Sequence, residues 1–224
     1  MTRSKTVSPF AALIFAALLC SCQTNIAGGQ MQNQPIRATP SPVAAETTEI
    51  DSDEIKKLLA SAAEQTRVTK SYDPAYVVLP YPNGDVPIET GVCSDVVVRA
   101  FRRAGLDLQK EIHEDMRRNF AAYPKKWSLK APDANIDHRR VPNLQTFFAR
   151  RGKSLPVTNE AENYQPGDVV AWHLDNRGTT HIGIVSNLRN DNDARFLIIH
   201  NIGGGTRAED VLFDWKIIGH YRYF

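Results

Sequence analysis

Residues 168–200 read DVVAWHLDNRGTTHIGIVSNLRNDNDARFLIIH, and the hydrophobic period in this stretch decides the fold. Three short runs, 168–174, 181–187 and 195–200, are rich in Val, Ile and aromatic residues and are separated by turn-forming Asp, Asn and Gly. That is the pattern of strands joined by hairpins. The stretch WKIIGHYRYF (215–224) repeats it. Upstream the period changes to that of helices. From Asp51, the acids Asp53 and Glu54 precede Ile55, Leu58, Leu59, Ala62 and Ala63 at helical spacing. A second helix is expected from about Ser94 to Ala104, with Val96, Val97, Ala100 and Phe101 on one stripe and Gly105 as its stop. Asp107 caps a third, and Pro142 opens a fourth that carries Leu144, Phe147 and Phe148 inward and ends at Gly152. Residues 71–91 and 123–141 read as irregular loops. Helices first and an antiparallel meander after them predict an α+β domain over residues 49–224.

The first 48 residues read as an address and a tether. Arg3 and Lys5 precede an apolar stretch, Phe10 to Leu19, too short to span a bilayer. The segment ends Leu19-Cys20-Ser21-Cys22, which resembles a bacterial lipoprotein cleavage site. The resemblance makes 1–21 a signal peptide and Cys22 the lipidated first residue of the mature chain; plain secretion is the alternative. Gln23 rather than Asp follows, which by analogy with lipoprotein sorting points to the outer membrane, facing the periplasm. Residues 22–48 carry three prolines, few charges and no periodicity, as a disordered tether does. Arg3 and Lys5 account for the formal charge of +2, so the mature chain is neutral, which argues against nucleic acid as a partner. A monomer tethered to a membrane is expected.

Of three cysteines, Cys93 alone remains once Cys20 and Cys22 are assigned to the N-terminus. An unpaired thiol in an exported protein calls for an explanation, and the plain one is a small buried apolar side chain. Its position offers another. Cys93 opens the second helix, where the helix dipole favours a thiolate and lowers its pKa. First-turn N–H groups there can receive an oxyanion. A base is then needed. His181 opens one strand and His200 ends the next. If the two strands form a hairpin turning near 189–194, both imidazoles lie at the end away from the turn, side by side, one able to orient the other.

These residues resemble the NlpC-type cell-wall cysteine peptidases, a papain-like group. The blocks that carry the resemblance are Tyr81 to Gly84, Cys93-Ser94, Pro166-Gly167-Asp168, His181-Ile-Gly-Ile-Val and a strand ending in His200. Closer still, VCSDV (92–96), NIDHRRVPNL (135–144), HNIG (200–203) and GHYR (219–222) look like a bacterial domain family of unknown function within that superfamily. The likeness covers about 70–224. It implies a papain-like fold, Cys93 as nucleophile, His181 as base, His200 as orienter, and Tyr81 near the oxyanion. It also implies hydrolysis of amide bonds in peptidoglycan stem peptides. Two departures stand out: Val92 replaces the family's Asp before the cysteine, and Asp95 its Gly after the serine.

Further candidates carry less. Arg139 and Arg140, with His138 beside them, could clamp a substrate carboxylate, against a plain structural loop. Trp172 reads as core or cleft wall. No HxxxH or CxxC spacing supports a metal, and Gly203–Gly205 lacks the Lys-Ser/Thr of a phosphate loop, so no cofactor is expected. Glu209, Asp210 and Asp214 read as a turn and a solvated edge. Two rival functions stay open: an acyl- or amidotransferase with the same three residues, and a non-catalytic wall-binding lipoprotein.

Overall fold

The computed structural model describes residues 52–192 and 194–224. The expected signal peptide (1–21), the lipid site at Cys22 and the tether (22–48) lie outside the described residues.

Four helices precede the main sheet: α1 (Asp53–Val68), α2 (Cys93–Arg103), α3 (Leu108–Asn119) and α4 (Val141–Arg150). α1 and α3 begin where the sequence supplies a side-chain cap. Ser52 accepts from the Ile55 N–H at the start of α1, and Asp107 accepts from the Gln109 N–H at the start of α3. At α2 the cap is inverted. Val92 has no side-chain acceptor, so Asp95 in the first turn reaches back and accepts from the Val92 N–H at 2.6 Å.

The five strands are β3 (Val169–His173), β4 (Thr180–Arg189), β5 (Phe196–Asn201), β6 (Thr206–Glu209) and β7 (Lys216–Tyr221). All pairings are antiparallel, in the order β6-β5-β4-β3-β7. The α+β architecture is therefore the one observed, with two differences. The meander holds for β3 to β6, but the closing strand crosses back to pair with β3. And β6, the short segment TRAE, carries no apolar alternation that would mark it in sequence. The expected loop 71–91 also contains β1 (Ser71–Tyr72) and ends in β2 (Thr90–Gly91), paired in parallel with Tyr72 opposite Gly91.

Alternation along the strands divides the core in two. Val169, Ala171, Ile182, Ile184 and Ile199 face the helices and pack with Leu58, Val97, Phe101, Leu144, Phe148 and Cys93. Val170, Trp172, Val185 and Ile198 face the other way, onto Tyr164 and Leu212. Each fully buried Leu, Ile or Phe contributes roughly 1.5–3 kcal/mol relative to exposure. Polar cross-links tie the chain's distant parts. Asp168, wholly buried, accepts from Arg222 Nε and Nη2, both at 2.7 Å, and pairs with His220 Nε2 at 2.7 Å. This anchors the start of β3 to the end of β7.

Candidate active site

Cys93 is the first residue of α2 and a buried free thiol. Its sulfur meets the backbone amides of Ile182, Ser94 and Cys93 itself, each of which favours the thiolate. Burial outweighs them and pushes the thiol up to about 11. The expectation that the helix N-terminus lowers this pKa is thus reversed in the closed structure: with the sulfur out of water, desolvation dominates the dipole.

The lid over the sulfur is Tyr72. Its hydroxyl lies beside Cys93, and its own pKa is pushed up to about 12, by burial first and then by the charges at Cys93 and Asp95. Pairing of Tyr72 with Gly91, two residues before Cys93, sets it there. Asn201 secures the strap: its Nδ2 donates to the carbonyls of Ser71 and Gly91, both at 3.0 Å.

On the strands, His181 Nε2 and His200 Nδ1 lie 2.8 Å apart. The hairpin register places Ile184 opposite Ile199, so His200 falls across from Gly183 and diagonal to His181. Gly183 makes the approach possible. A Cβ there would sit 2.7 Å from Ile198 Cγ2 and 3.1 Å from His200 Cβ. Trp215 closes over the pair, its ring 5.8 Å from that of His181 and 6.1 Å from that of His200. Burial, and then the neighbouring ring, lowers His181 to about 3. Burial also lowers His200, opposed by Glu209, whose Oε2 is 2.9 Å from His200 Nε2, at ion-pair range but off a straight N–H line.

The sulfur and the imidazoles meet the same end of β4, Cys93 packing with the helix-side cluster while His181 stands across from Trp172 and His200 in line with Ile198 on the other face. Among the described residues no hydrogen bond joins the sulfur to either ring; the sulfur meets β4 at the amide of Ile182, one residue past His181. With Nε2 of His181 turned to His200, Nδ1 is the nitrogen left for a thiol or a substrate.

Other expected site residues are placed elsewhere. Tyr81 stands half exposed against the ring of His113, centroids 5.1 Å apart, and Tyr72 occupies the place by the sulfur that the resemblance gave to Tyr81. Twelve residues of separation put Tyr81 in the outer part of the loop, whereas the β1–β2 pairing brings Tyr72 back. Arg139 is no carboxylate clamp for a substrate. It is 7% exposed and its donors are spent on Asp95 Oδ1 (2.9 Å), Asp95 Oδ2 (3.0 Å), Ala75 O (2.9 Å) and Asp73 O (3.0 Å). His138 is buried, which lowers it to about 4, and cannot meet solute. Arg140 is half-buried, paired with Asp137 at 3.0 Å and lying over the Trp127 ring. Trp172 is wholly buried, donating its Nε1–H to Leu212 O at 3.0 Å, so it is core rather than cleft wall. Tyr72, Trp215 and Glu209 carried no signal in the sequence: each reaches the site through strand register, not through a motif.

An open groove of about 480 Å³ runs past Trp215, lined by His173, Asp175, Arg177, Asp214 and Lys216.

Comparison with known proteins places the chain. It is 59% identical over 163 residues to YijF, an uncharacterised protein of Escherichia coli K12, covering 73% of this chain and 78% of that one. NlpC1 from Trichomonas vaginalis overlays at a TM-score of 0.41, with 12% identity over 78% of this chain and 46% of that one. A lipoprotein-like NLP/P60-family protein from Staphylococcus aureus overlays at 0.39, with 15% identity over 80% and 44% respectively. This chain spans less than half the length of either solved protein. The family model of a domain of unknown function, DUF1287, matches residues 59–223, and the chain belongs to that family.

Proposed function

We propose that the domain is a cysteine hydrolase that cleaves amide bonds in the peptide stems of peptidoglycan. The observation that carries this reading is the 2.8 Å His181–His200 contact at the strand end whose next amide, Ile182, faces the Cys93 sulfur. In the reaction, the Cys93 proton passes to His181 Nδ1 and the sulfur adds to the scissile carbonyl. The Ser94 amide and the Tyr72 hydroxyl receive the oxyanion. His181 then gives its proton to the leaving amine, and a water activated by the same ring releases the acid from the thioester. Contacts of this kind are long in free enzymes and tighten when substrate enters.

The groove beside Trp215 suits the substrate. Arg177 and Lys216 offer cations to the carboxylates of a stem peptide, and Asp214 an anion to a free amine. The protein acts as a monomer, held by lipid at Cys22 to the outer membrane and facing the periplasm, within reach of the wall. The burial of the thiol favours a second reading, a wall-binding module that retains the fold without chemistry.

Mass spectrometry of muropeptides from isolated sacculi, before and after incubation with the purified protein, separates these. Hydrolysis adds one water at a defined amide, and Cys93→Ala abolishes the change. An amine adduct in place of water marks a transferase. An unchanged muropeptide profile overturns the enzyme reading.

A further inference from the structure

Glu209 lies on the edge strand β6, 116 residues after Cys93, in what the sequence presents as a solvated turn. The register of β6 against β5 pairs Ile198 with Glu209 and His200 with Arg207. Ile198, His200, Arg207 and Glu209 therefore share one sheet face, and Glu209 reaches His200 on the diagonal. Its Oε2 stops 2.9 Å from His200 Nε2, the ring nitrogen that His181 does not use.

Resting on the hydrolase reading of this site, we propose that Glu209 is its fourth member, a positioning residue that sets the protonation of both imidazoles in series. The logic follows from what each atom can do. A carboxylate only accepts, so His200 Nε2 carries a proton. A neutral ring then has its Nδ1 bare, and that bare nitrogen is the one 2.8 Å from His181 Nε2. His181 must supply the proton of that bond. Its own Nδ1 is consequently bare, as a base for a thiol requires. The opposite assignment would set a lone pair of His200 against the carboxylate. When His181 takes the Cys93 proton, the new positive charge is shared along the rings toward Glu209, and no proton leaves the set.

The groups facing His200 are few. His181 lies across the hairpin, and the Cys93 thiol belongs to the cluster on the helix side of the sheet, the face His200 does not share. The neutral ring of Trp215 covers one side. Arg207 shares the strand, with its Nη1 3.9 Å from the other Glu209 oxygen and its side chain largely in solvent. Glu209 is the charge that acts on His200, opposing the burial that disfavours the imidazolium.

The test uses the full protein, with Glu209→Gln and Glu209→Asp beside the parent. Glu209 is about one-third exposed, and Gln keeps its shape, so a fold close to the parent's is expected and is checked by melting. Two readouts are taken: the imidazole titration of His200 by NMR, which needs no substrate, and kcat/KM on muropeptide against pH. Removing the carboxylate is expected to lower the His200 midpoint by roughly half a unit or more. The acid limb of kcat/KM should move down with it, and kcat should fall about tenfold with KM unchanged. Glu209→Asp should recover part of both. A merely structural Glu209 would alter melting and leave the midpoint in place. If the His200 midpoint in Glu209→Gln coincides with the parent's, the proposal is overturned. If the midpoint moves while the parent cleaves nothing, the positioning of the ring stands and the hydrolase reading falls.

Discussion

The clearest quantitative consequence concerns Arg139. Its guanidinium makes two bonds to Asp95 and one each to the carbonyls of Ala75 and Asp73, with both ionised side chains nearly excluded from water. In Arg139→Ala the Asp95 carboxylate keeps only the Val92 N–H, and the carbonyls of Ala75 and Asp73 lose their donor. Leaving one member of a buried ion pair uncompensated costs about 3–5 kcal/mol. A domain of this size has roughly 5–15 kcal/mol in all. Each kcal/mol moves the melting point by about 2–4 °C at this length, so a fall of about 6–20 °C is expected. Circular dichroism melts and urea midpoints measure it. Arg139→Lys should also fall, because an ammonium cannot span both carboxylate oxygens and both carbonyls. An alanine variant that melts within about 2 °C of the parent, and that shows only a raised KM for carboxylate-bearing peptides, would refute the structural role and restore the arginine as a substrate clamp.

Three further outcomes follow from the buried groups. The unfolded chain protonates His138 near pH 6.5 whereas the folded protein resists down to about 4, so stability is complete above pH 6.5 and lost as pH falls below it. His181, lowered to about 3, acts in the same direction. By pH 5 the His138 share alone is roughly 2 kcal/mol, and equal urea midpoints at pH 5 and pH 7.5 would contradict it. Gly183→Ala should cost about 1–3 kcal/mol through overpacking and push His200 off its partner, seen as lost activity out of proportion to the loss in melting point. Cys93, raised from 9.0 to about 11, should react with iodoacetamide on the order of 100-fold more slowly in the folded protein than in urea at pH 8, with a rate still climbing at pH 9. A plateau by pH 7 would show that an imidazolium holds the thiolate despite burial.

The sequence was legible wherever one element carried its own signal. The stripe of Val96, Val97, Ala100 and Phe101 marks α2 to within a residue, because one helix face must enter the core. The neighbouring placement of His181 and His200 follows from hairpin arithmetic: with the turn near residue 190, both strand ends away from it coincide. What stayed hidden depends on pairing between distant segments. Tyr72 reaches the sulfur only through two residues of parallel strand, far too short for a pattern. Glu209 lies on four residues without alternation. A run of charges such as Asp137 to Arg140 reads as solvated because charges usually are; that Arg139 turns inward is decided by Asp95, 44 residues earlier. The thiol pKa shows the same limit: the helix dipole can be read from position, the desolvation that overrides it cannot.

The return of β7 to the side of β3 has a consequence for the order in which this domain can be made. Until residues 216–224 have left the ribosome, β3 has one flank unpaired, and Asp168 has neither His220 nor Arg222. Phe101 and Phe147 likewise wait for Tyr223, and Phe101 for Phe224, whose rings settle 5.2–6.4 Å from their neighbours. The nascent chain cannot finish its core from the N-terminus onward. It stays pliable until those residues are free to pair, and a chain cut short of β7 loses a seam of the sheet, not a tail.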